Sequence, residues 1–400
     1  MKKILFVINT MGRAGAERAM LELIKAVHKQ EREIEISLLV LLNRGELFSE
    51  IPPFVKIINK NPDSNSIFVN TKLVLGKLVI KKAVCNFSFL KNAIGLFQSF
   101  LMQKKAGKIQ IDKLLWKIIS DGTKKLSESF DTAIAFLEGG ATYYVADHVQ
   151  AKNKIAFVHI EYEKSGFTPS LDHRCYNKIN WIYAISYGVR DSFLHMYPLY
   201  KDKIKIFYNI INTELIWKRA IEGTGFTDHF DGFRIVTIGR LHYQKGYDMM
   251  IPVLKKLKQT GQEIRWYILG DGPQRKKIEQ GIKKAGLKKD IILLGMVRNP
   301  YPYLLQCDLY VHITRYEGKS IAIEEAQVLG KAIIASDCPG NREQITHRKN
   351  GLLVPFDREK IFQAILELCK DKKQREQYGK ENARLDFARK EMVTEFCNMI

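Results

Sequence analysis

The chain has 400 residues, of which 46% are apolar, enough for a large buried core and for two domains or more. Its 64 basic residues exceed its 43 acidic residues and give a net charge of +21. This excess predicts an anionic partner, such as nucleic acid, acidic lipid or a phosphorylated substrate, without separating the three. The six cysteines are scattered and form no C-x-x-C pair. This pattern argues against a disulfide framework or a zinc site and favours buried thiols in a reducing compartment.

The first segment predicts a buried strand at residues 4–8, a glycine turn and an amphipathic helix. The turn contains Gly12, Arg13 and Gly15, and such a turn at a helix start can present backbone N–H groups to an anion. A dinucleotide site is not indicated, because the third glycine of that fingerprint and its acidic partner are missing. The apolar run is too short for a signal peptide, and no segment has the roughly 18 apolar residues of a spanning helix. We therefore expect a cytoplasmic protein.

After a second predicted strand at residues 34–42, the alternation of strands and helices breaks between residues 64 and 128. Lysines are interleaved there with apolar and aromatic residues, and Phe89, Phe97 and Phe100 have helix-compatible spacing. Such a segment can lie in a membrane interface, with its apolar face down and its lysines toward anionic lipid. The pattern equally fits ordinary helices that cover the sheet and keep their lysines in water. The residues leave both interpretations open.

Two further strands are predicted within residues 131–161. Glu138 and a glycine pair follow the first strand, and His159 lies at the carboxyl end of the second. Ligands of open α/β sheets bind at that edge. His159 is therefore a candidate for a catalytic or acceptor-binding role, with a purely structural histidine as the alternative.

Three loops in the second half contain candidate ligand-binding residues. Arg240 and Lys245 lie five residues apart after the predicted strand at residues 233–238, a spacing that suits a diphosphate. The next two predicted strands end at Gly270 and Gly295. All of these residues lie at strand carboxyl ends.

The most informative stretch follows the apolar run at residues 309–313. Glu317 lies in the loop after that run, Ser320 occupies an N-cap position, and Glu325 lies in the helix that follows. One carboxylate can accept hydrogen bonds from a reacting sugar while the other binds the hydroxyls of a ribose. A Walker A loop is excluded, because residue 313 is isoleucine where that motif requires glycine.

Five motifs follow one another in the second half: G-R-L…K-G at 239–246, G-D-G-P at 270–273, L-G at 294–295, E-x7-E at 317–325 and N-G-L-L-V-P at 350–355. In this order and spacing they resemble the family-4 group of retaining glycosyltransferases with the GT-B fold. The M-G-x-x-G-A-E-R start is similar to the family's first glycine loop, with Arg13 and Ala14 inserted where glycines are often adjacent. The E-G-K-S-I-A form of the carboxylate loop resembles enzymes of capsule and other surface-polysaccharide assembly.

The resemblance implies an α/β protein with the GT-B fold, in which two Rossmann-like domains face each other across a cleft. An acceptor-binding domain would cover residues 1–210, a linker residues 211–231 and a nucleotide-sugar domain residues 232–380. A helix at residues 381–400 would return to the first domain, and closure of the cleft would complete the site.

The resemblance also implies roles for single residues. Arg240 and Lys245 would bind the donor diphosphate and stabilise the leaving group. Glu317 would hold hydroxyls of the donor sugar, Glu325 would hold the ribose, and His159 would lie near the reacting sugar. Further donor contacts are expected from Gly270, Gly295, Met296, Val297, Gly318, Lys319 and Ser320. The acceptor or phosphate loop would consist of Gly12, Arg13, Gly15 and Glu138.

The implied partners are a nucleotide-sugar donor, preferably a UDP-sugar, a lipid-linked saccharide acceptor and an anionic membrane surface, which places the protein at the inner face of the cell membrane. No cofactor and no nucleic acid is expected. No metal is expected either, because the sequence lacks D-x-D and the Arg/Lys pair can replace a cation at the diphosphate. One alternative is a GT-B sugar-nucleotide epimerase, which would consume donor without acceptor. Another is a non-catalytic partner subunit or anionic-polymer binder, which rests on net charge alone.

Overall fold

The computed structural model describes residues 1–12, 15–31, 33–64, 80–105, 111–172, 175–387 and 389–400. The predicted site residue Arg13 lies outside the described residues. The same holds for Lys72, Lys77 and Lys108 of the lysine-rich segment at residues 64–128. The chain divides into two compact units, residues 1–210 with 389–400 and residues 211–388. The division after residue 210 coincides with the predicted end of the first domain.

The described part of the first unit contains a parallel sheet of seven strands. They are β1 (Lys2–Ile8), β2 (Ile34–Val40), β3 (Lys56–Ile57), β4 (Ser129–Ala135), β5 (Gln150–Val158), β6 (Trp181–Ala184) and β7 (Ile204–Ile206). Their order in the sheet is β3-β2-β1-β4-β5-β6-β7. Ile4 of β1 pairs with Ile36 on one side and with Thr132 on the other. The direction of winding therefore reverses between β1 and β4, where an open sheet leaves a crevice for ligands.

Helices cover this sheet. In chain order they are α1 (Gly15–Gln30), α2 (Ser88–Lys105), α3 (Ile111–Asp121), α4 (Gly140–His148), α5 (Pro169–Asp172) and α6 (Tyr187–Met196). Helix α1 buries an apolar stripe that includes Leu23, Ile24 and Val27, as its amphipathic spacing predicts. Ser186 caps helix α6, because its hydroxyl accepts the Val189 N–H at 3.1 Å and so satisfies one amide of the first turn.

The second unit contains a six-stranded parallel sheet with the same kind of order. Its strands are β8 (Phe233–Ile238), β9 (Ile264–Leu269), β10 (Ile291–Gly295), β11 (Leu309–His312), β12 (Ile333–Ser336) and β13 (Leu352–Val354). The order β10-β9-β8-β11-β12-β13 makes β8 and β11 neighbours, with Leu309 paired to Ile235. The winding reverses between these two strands.

Eight helices belong to the described part of this unit. They are α7 (Thr213–Glu222), α8 (Met250–Lys258), α9 (Arg275–Lys284), α10 (Tyr301–Gln306), α11 (Ile321–Val328), α12 (Pro339–Arg342), α13 (Arg358–Lys370) and α14 (Lys372–Ala383). The strands predicted before four of the five motifs are thus all present, and the fifth motif contains β13, which was not predicted. Their apolar residues form two clusters, one on each face of the sheet.

The stretch expected to be a linker contains helix α7. The Asn212 side chain accepts the Leu215 N–H at 3.0 Å and caps the helix. Ile216 and Ala220 are buried in the same apolar cluster as Leu304 of α10. The charged residues that favoured a linker lie on the other face of an amphipathic helix, which is why composition alone misses it.

The segment at residues 381–400, expected to be one helix, contains parts of two helices. Helix α14 ends at Ala383, and a last helix, α15 (Lys390–Met399), belongs to the first unit. Phe396 of α15 packs against Phe157 and Tyr183 of that unit, with ring centroids 6.0 and 5.6 Å apart. Only the second of the two helices is therefore part of the first unit.

The described part of the lysine-rich segment at residues 64–128 includes helices α2 and α3, which have different environments. Helix α3 lies on the core, where Ile118 and Ile119 are buried and Trp116 packs against the same cluster. Helix α2 leaves large apolar side chains exposed. Among the residues that the structure describes, no helix combines the length and the apolarity needed to cross a bilayer.

A buried carboxylate, Asp172, lies at the end of α5. It accepts hydrogen bonds from the hydroxyls of Tyr143, Tyr162 and Tyr197 at 2.6, 2.9 and 2.7 Å. Burial raises the pKa of Asp172 to about 6, although the three hydroxyls oppose the shift. The folded protein therefore binds this proton more tightly than the unfolded chain does.

We expect Asp172 to make the protein more stable at low pH. Its contribution is fully present below the unfolded pKa, near 4, and is lost as the pH rises through about 6. Between pH 4 and 8 the wild type should lose about 3 kcal/mol of unfolding free energy relative to Asp172→Asn. Urea unfolding of both proteins across this range measures the difference, with Asp202→Asn at an exposed position as the control. A difference that does not change with pH would contradict this assignment.

Candidate active site

The predicted donor residues gather at one edge of the second sheet. The loop at residues 239–246 follows β8, and the loop at residues 313–320 follows β11. Because β8 and β11 are neighbours, the two loops leave the sheet side by side, at the reversal point where such sheets bind ligands.

Close backbone contacts join the strand ends. Gly239 donates its N–H to the Leu269 carbonyl at 3.0 Å, and Gly270 donates to the Gly295 carbonyl at 2.7 Å. Gly270 has a φ of +151°, and a Cβ there would lie 2.0 Å from the Gly239 carbonyl oxygen. Only glycine fits this position. The ends of β8, β9 and β10 therefore form a tight platform beside the loops.

Hydrogen bonds hold the two loops together. The Gln244 side-chain amide donates to the Tyr316 carbonyl at 2.8 Å, and Arg315 donates its backbone N–H to the Gln244 carbonyl at 2.8 Å. The Arg315 guanidinium also binds both carboxylate oxygens of Asp248, at 3.0 and 2.8 Å. This bidentate pair fixes the start of one loop to the short turn between the other loop and α8.

The two hydrogen-bonded loops bring Lys245 and Glu317 into contact. The Lys245 ammonium donates to the Glu317 carboxylate, and His312 Nε2 lies 3.1 Å from the same oxygen. Burial alone would raise the pKa of Glu317, but the Lys245 charge and the His312 hydrogen bond outweigh it and lower the pKa to about 2. Glu317 is therefore a carboxylate that accepts hydrogen bonds and carries no proton to donate.

His312 is a part of this group that the sequence did not single out. It is 1% exposed, its Nδ1 lies 3.1 Å from the Tyr310 hydroxyl, and its Nε2 lies 3.4 Å from the Lys245 ammonium. Burial and the Lys245 charge lower its pKa, so the imidazole is neutral. The available signal was a lone histidine in an otherwise apolar strand, five residues before Glu317.

The loop at residues 313–320 contacts residues 340–344 through a hydrogen bond and close backbone packing. Ser320 precedes α11 as expected, but its side chain makes no capping hydrogen bond. Its backbone N–H donates instead to Gln344 Oε1 at 2.9 Å, so this amide already has a partner. A Cβ at Gly340 would lie 2.3 Å from the carbonyl oxygens of Glu317 and Gly318, so α12 touches the loop backbone.

The remaining donor candidates differ in exposure. Glu325 is buried in α11, where its Oε1 accepts the Tyr301 hydroxyl at 2.8 Å. Arg240 is exposed in the loop after β8. The remaining candidates are Met296, which is exposed, Val297, which is partly buried, and Lys319, whose ammonium lies 3.6 Å from the Glu324 carboxylate. Their roles toward a donor stay predictions.

The predicted acceptor residues of the first unit lie at the reversal point of its own sheet. Gly12 follows β1 and is buried, and Gly15 begins α1. Glu138, after β4, is 7% exposed and accepts the His159 backbone N–H at 2.9 Å. Burial raises the pKa of Glu138, with the His159 amide opposing. Asn9 also lies at this reversal point, where its Oδ1 accepts the Ala141 N–H at 2.8 Å.

The His159 imidazole has an apolar environment. Its ring lies 5.1 Å from Phe136 and 6.1 Å from Phe157, centroid to centroid. Within the described part of the chain, neither ring nitrogen has a hydrogen-bond partner. Burial lowers its pKa to about 3, so the side chain is uncharged at neutral pH. Both nitrogens keep their hydrogen-bonding capacity, which suits contact with a ligand hydroxyl.

The described residues contain no group of three or more His, Cys, Asp or Glu side chains placed to hold a metal ion. The positive charge beside Glu317 comes from Lys245, and Arg240 lies in the same loop.

Comparison with known proteins identifies the fold and a family match within the second half of the chain. Residues 230–385 match the family described as glycosyl transferases group 1. An N-acetylgalactosamine-N,N'-diacetylbacillosaminyl-diphospho-undecaprenol 4-alpha-N-acetylgalactosaminyltransferase from Campylobacter jejuni is 29% identical over 205 residues, 51% of this chain and 54% of that protein. The chain spans about half the length of the curated relatives it matches.

Solved structures match over a greater length. Anabaena HepE in complex with UDP-glucose is 17% identical, with a TM-score of 0.67 and 100% of both chains covered. A Staphylococcus aureus TarM variant in complex with UDP is 14% identical, with a TM-score of 0.68, 100% of this chain and 99% of that chain covered. At such identities the likeness concerns the fold. With its two parallel sheets the chain has the GT-B fold of these neighbours, and its residues 230–385 match the glycosyl transferases group 1 family.

Proposed function

We propose that the chain is a retaining glycosyltransferase that moves a sugar from a UDP-sugar to a lipid-linked saccharide. Its product would be a unit of a bacterial surface polysaccharide, such as capsule, O-antigen or exopolysaccharide. The observation that carries this proposal is the Lys245–Glu317 pair at the reversal point of a sheet whose domain matches the glycosyl transferases. The Campylobacter relative supports the acceptor class, because its name specifies a diphospho-undecaprenol-linked sugar. The UDP complexes of the structural neighbours support the donor base.

The pair can act as an exchangeable contact. Without donor, the Lys245 ammonium is neutralised by Glu317. A donor diphosphate, with two negative charges, would draw the ammonium to itself and free the Glu317 carboxylate for hydroxyls of the donor sugar. The exchange costs little conformational entropy, because both side chains are already held by the joined loops.

The transfer step then needs mainly charge stabilisation. The acceptor hydroxyl oxygen bonds to the anomeric carbon while the bond from that carbon to the phosphate oxygen breaks. Its proton passes to the departing phosphate oxygen, on the face from which the nucleotide leaves. Lys245 and Arg240 stabilise the negative charge that develops on the diphosphate, and such stabilisation lowers the barrier because the cations are positioned before the bond breaks. With these cations in place the reaction needs no divalent metal, and chelation should leave the rate unchanged.

Two other contacts complete the proposal. Glu325, oriented by the Tyr301 hydroxyl, would accept hydrogen bonds from the ribose. The neutral His159 would contact the sugar that reacts. The reaction would take place at the inner surface of the cell membrane, where a lipid-linked acceptor resides.

The donor assignment is tested by a thermal-shift panel of UDP-, GDP- and ADP-sugars. UDP-sugars should raise the melting temperature of the wild type by mass action. Lys245→Met should weaken the affinity about 10- to 100-fold, because a charged hydrogen bond to the diphosphate is lost. Glu325→Gln should also weaken it if the ribose contact is made.

Lys256→Met is the matched control, since Lys256 also pairs with a glutamate, Glu359, on the same unit but outside the two loops. It should bind donor as the wild type does. A shift with GDP-sugars alone would replace the donor base in the proposal. No shift with any donor, and no turnover with a lipid-linked acceptor, would contradict a transferase.

His312 should act as a positioning residue through Glu317. His312→Leu removes a buried hydrogen bond to the carboxylate, and kcat/KM should fall about 10- to 100-fold. His312→Gln, whose amide can still donate, should recover part of this loss. Because the His312 bond lowers the pKa of Glu317, the acidic limb of the pH–rate profile should move to higher pH in His312→Leu.

Steady-state kinetics of the wild type and both variants across pH, with circular dichroism to check folding, measure these effects. Equal losses in the leucine and glutamine variants, with an unmoved acidic limb, would assign His312 to packing only.

A further inference from the structure

Helix α2 turns its polar side toward the protein. Ser88, Ser99 and Gln103 are buried, and their side chains bind other parts of the unit. The Ser88 hydroxyl donates to the Ile118 carbonyl at 3.0 Å, and the Ser99 hydroxyl lies 2.7 Å from that of Thr168. The Gln103 amide donates to the Gly166 carbonyl at 2.7 Å. The helix is thus attached to the unit by specific hydrogen bonds along a mainly polar stripe, in which Leu96 packs against the apolar core.

The opposite side of α2 is apolar and exposed. Leu90, Ile94, Phe97 and Leu101 are 70, 76, 62 and 47% exposed. Their spacing of four, three and four residues places them on one stripe of the helix. Phe89, Phe100 and Met102 flank the stripe and are exposed as well. We call this surface the α2 apolar face.

This arrangement is the reverse of a surface helix in water, which buries its apolar stripe and exposes its polar one. A contiguous exposed apolar patch marks a surface that meets another apolar phase. The neighbouring helix α3 shows the contrast, because its Ile118 and Ile119 face the core and its Lys117 pairs with Asp147 at 2.7 Å. The reversal therefore distinguishes α2 from its neighbour.

The charge around this face selects the partner. The sequence has eight lysines and no aspartate or glutamate between residues 65 and 111. Among the described residues, Lys91, Lys104 and Lys105 of α2 are exposed, as is Lys81 just before it. The partner must therefore accept apolar side chains and carry negative charge, as the interface of a bilayer with anionic lipids does.

We propose that the α2 apolar face docks the protein on an anionic membrane surface, with the helix lying flat in the interface. Leu90, Ile94, Phe97 and Leu101 insert between the lipid headgroups, and the lysines contact the lipid phosphates. The inference deepens the proposed function and rests on it for its purpose, because a lipid-linked acceptor would be met at that surface. The docking itself is a separate physical property and is measured separately.

Flotation with vesicles tests the proposal. The wild-type chain should float with vesicles that contain phosphatidylglycerol and much less with pure phosphatidylcholine. Ile94→Glu with Phe97→Glu should raise the lipid concentration for half-maximal binding by at least about tenfold, since two apolar side chains no longer insert. Leu199→Glu with Ile221→Glu is the matched control, because these residues are 71 and 72% exposed and lie outside α2. It should bind as the wild type does.

Two triple variants test the contribution of the lysines to vesicle binding. Replacing Lys91, Lys104 and Lys105 by glutamine should weaken binding about fivefold per lysine and reduce its dependence on salt. Replacing the exposed lysines Lys201, Lys218 and Lys372 by glutamine is the control with the same loss of charge. Equal effects of the two triple variants would show attraction by net charge alone and would overturn the assignment to α2.

Light scattering without lipid tests whether a second copy of the chain covers this face. A wild-type dimer that Ile94→Glu with Phe97→Glu dissociates, together with no vesicle binding, would overturn the membrane proposal. Donor binding by thermal shift separates this outcome from failure of the proposed function. The α2 variants should keep the wild-type donor shift, so loss of vesicle binding with donor binding intact concerns docking only.

Discussion

The candidate site depends on the order of the parallel strands in the second unit. Lys245 and Glu317 are 72 residues apart in sequence and touch because β8 and β11 are neighbours in the sheet. Their loops are joined by hydrogen bonds to backbone carbonyls and by the Arg315–Asp248 pair, and these bonds set the position of the ammonium and the carboxylate before a ligand arrives.

The two units use the same sheet order for different electrostatic environments. In the second unit the reversal point holds a charged pair with a neutral imidazole beside it. In the first unit the corresponding strand ends hold Glu138, whose pKa burial raises, and His159, whose pKa burial lowers. The Lys245 ammonium, with Arg240 in the same loop, suits a diphosphate, whereas the uncharged His159 imidazole suits hydroxyl groups. This difference agrees with donor binding by one unit and acceptor or sugar contact by the other, as proposed above.

Much of the fold and part of the site followed from the sequence. Apolar runs that end in glycine or a polar residue predicted the strands before four of the five motifs, and the spacing from Arg240 to Lys245 and from Glu317 to Glu325 pointed to the candidate site. Other features escaped prediction because they depend on long-range contacts. His312 looked like one more residue of a buried strand until Tyr310, Lys245 and Glu317 were found around it. Helix α7 looked like a linker because its charged residues outnumber the few that it buries.

Helix α2 shows most clearly what the sequence determines and what only the tertiary structure decides. The sequence by itself determined that residues 88–105 alternate polar and apolar groups with helical spacing and lack acidic residues. It left open which stripe would face the protein, because a helix with two distinct faces can pack by either one. The tertiary structure decided this, since Ile118, Gly166 and Thr168 offer oxygen atoms at the positions that Ser88, Gln103 and Ser99 reach. Hydrogen bonds are directional and short, so only the assembled fold can determine where such partners lie.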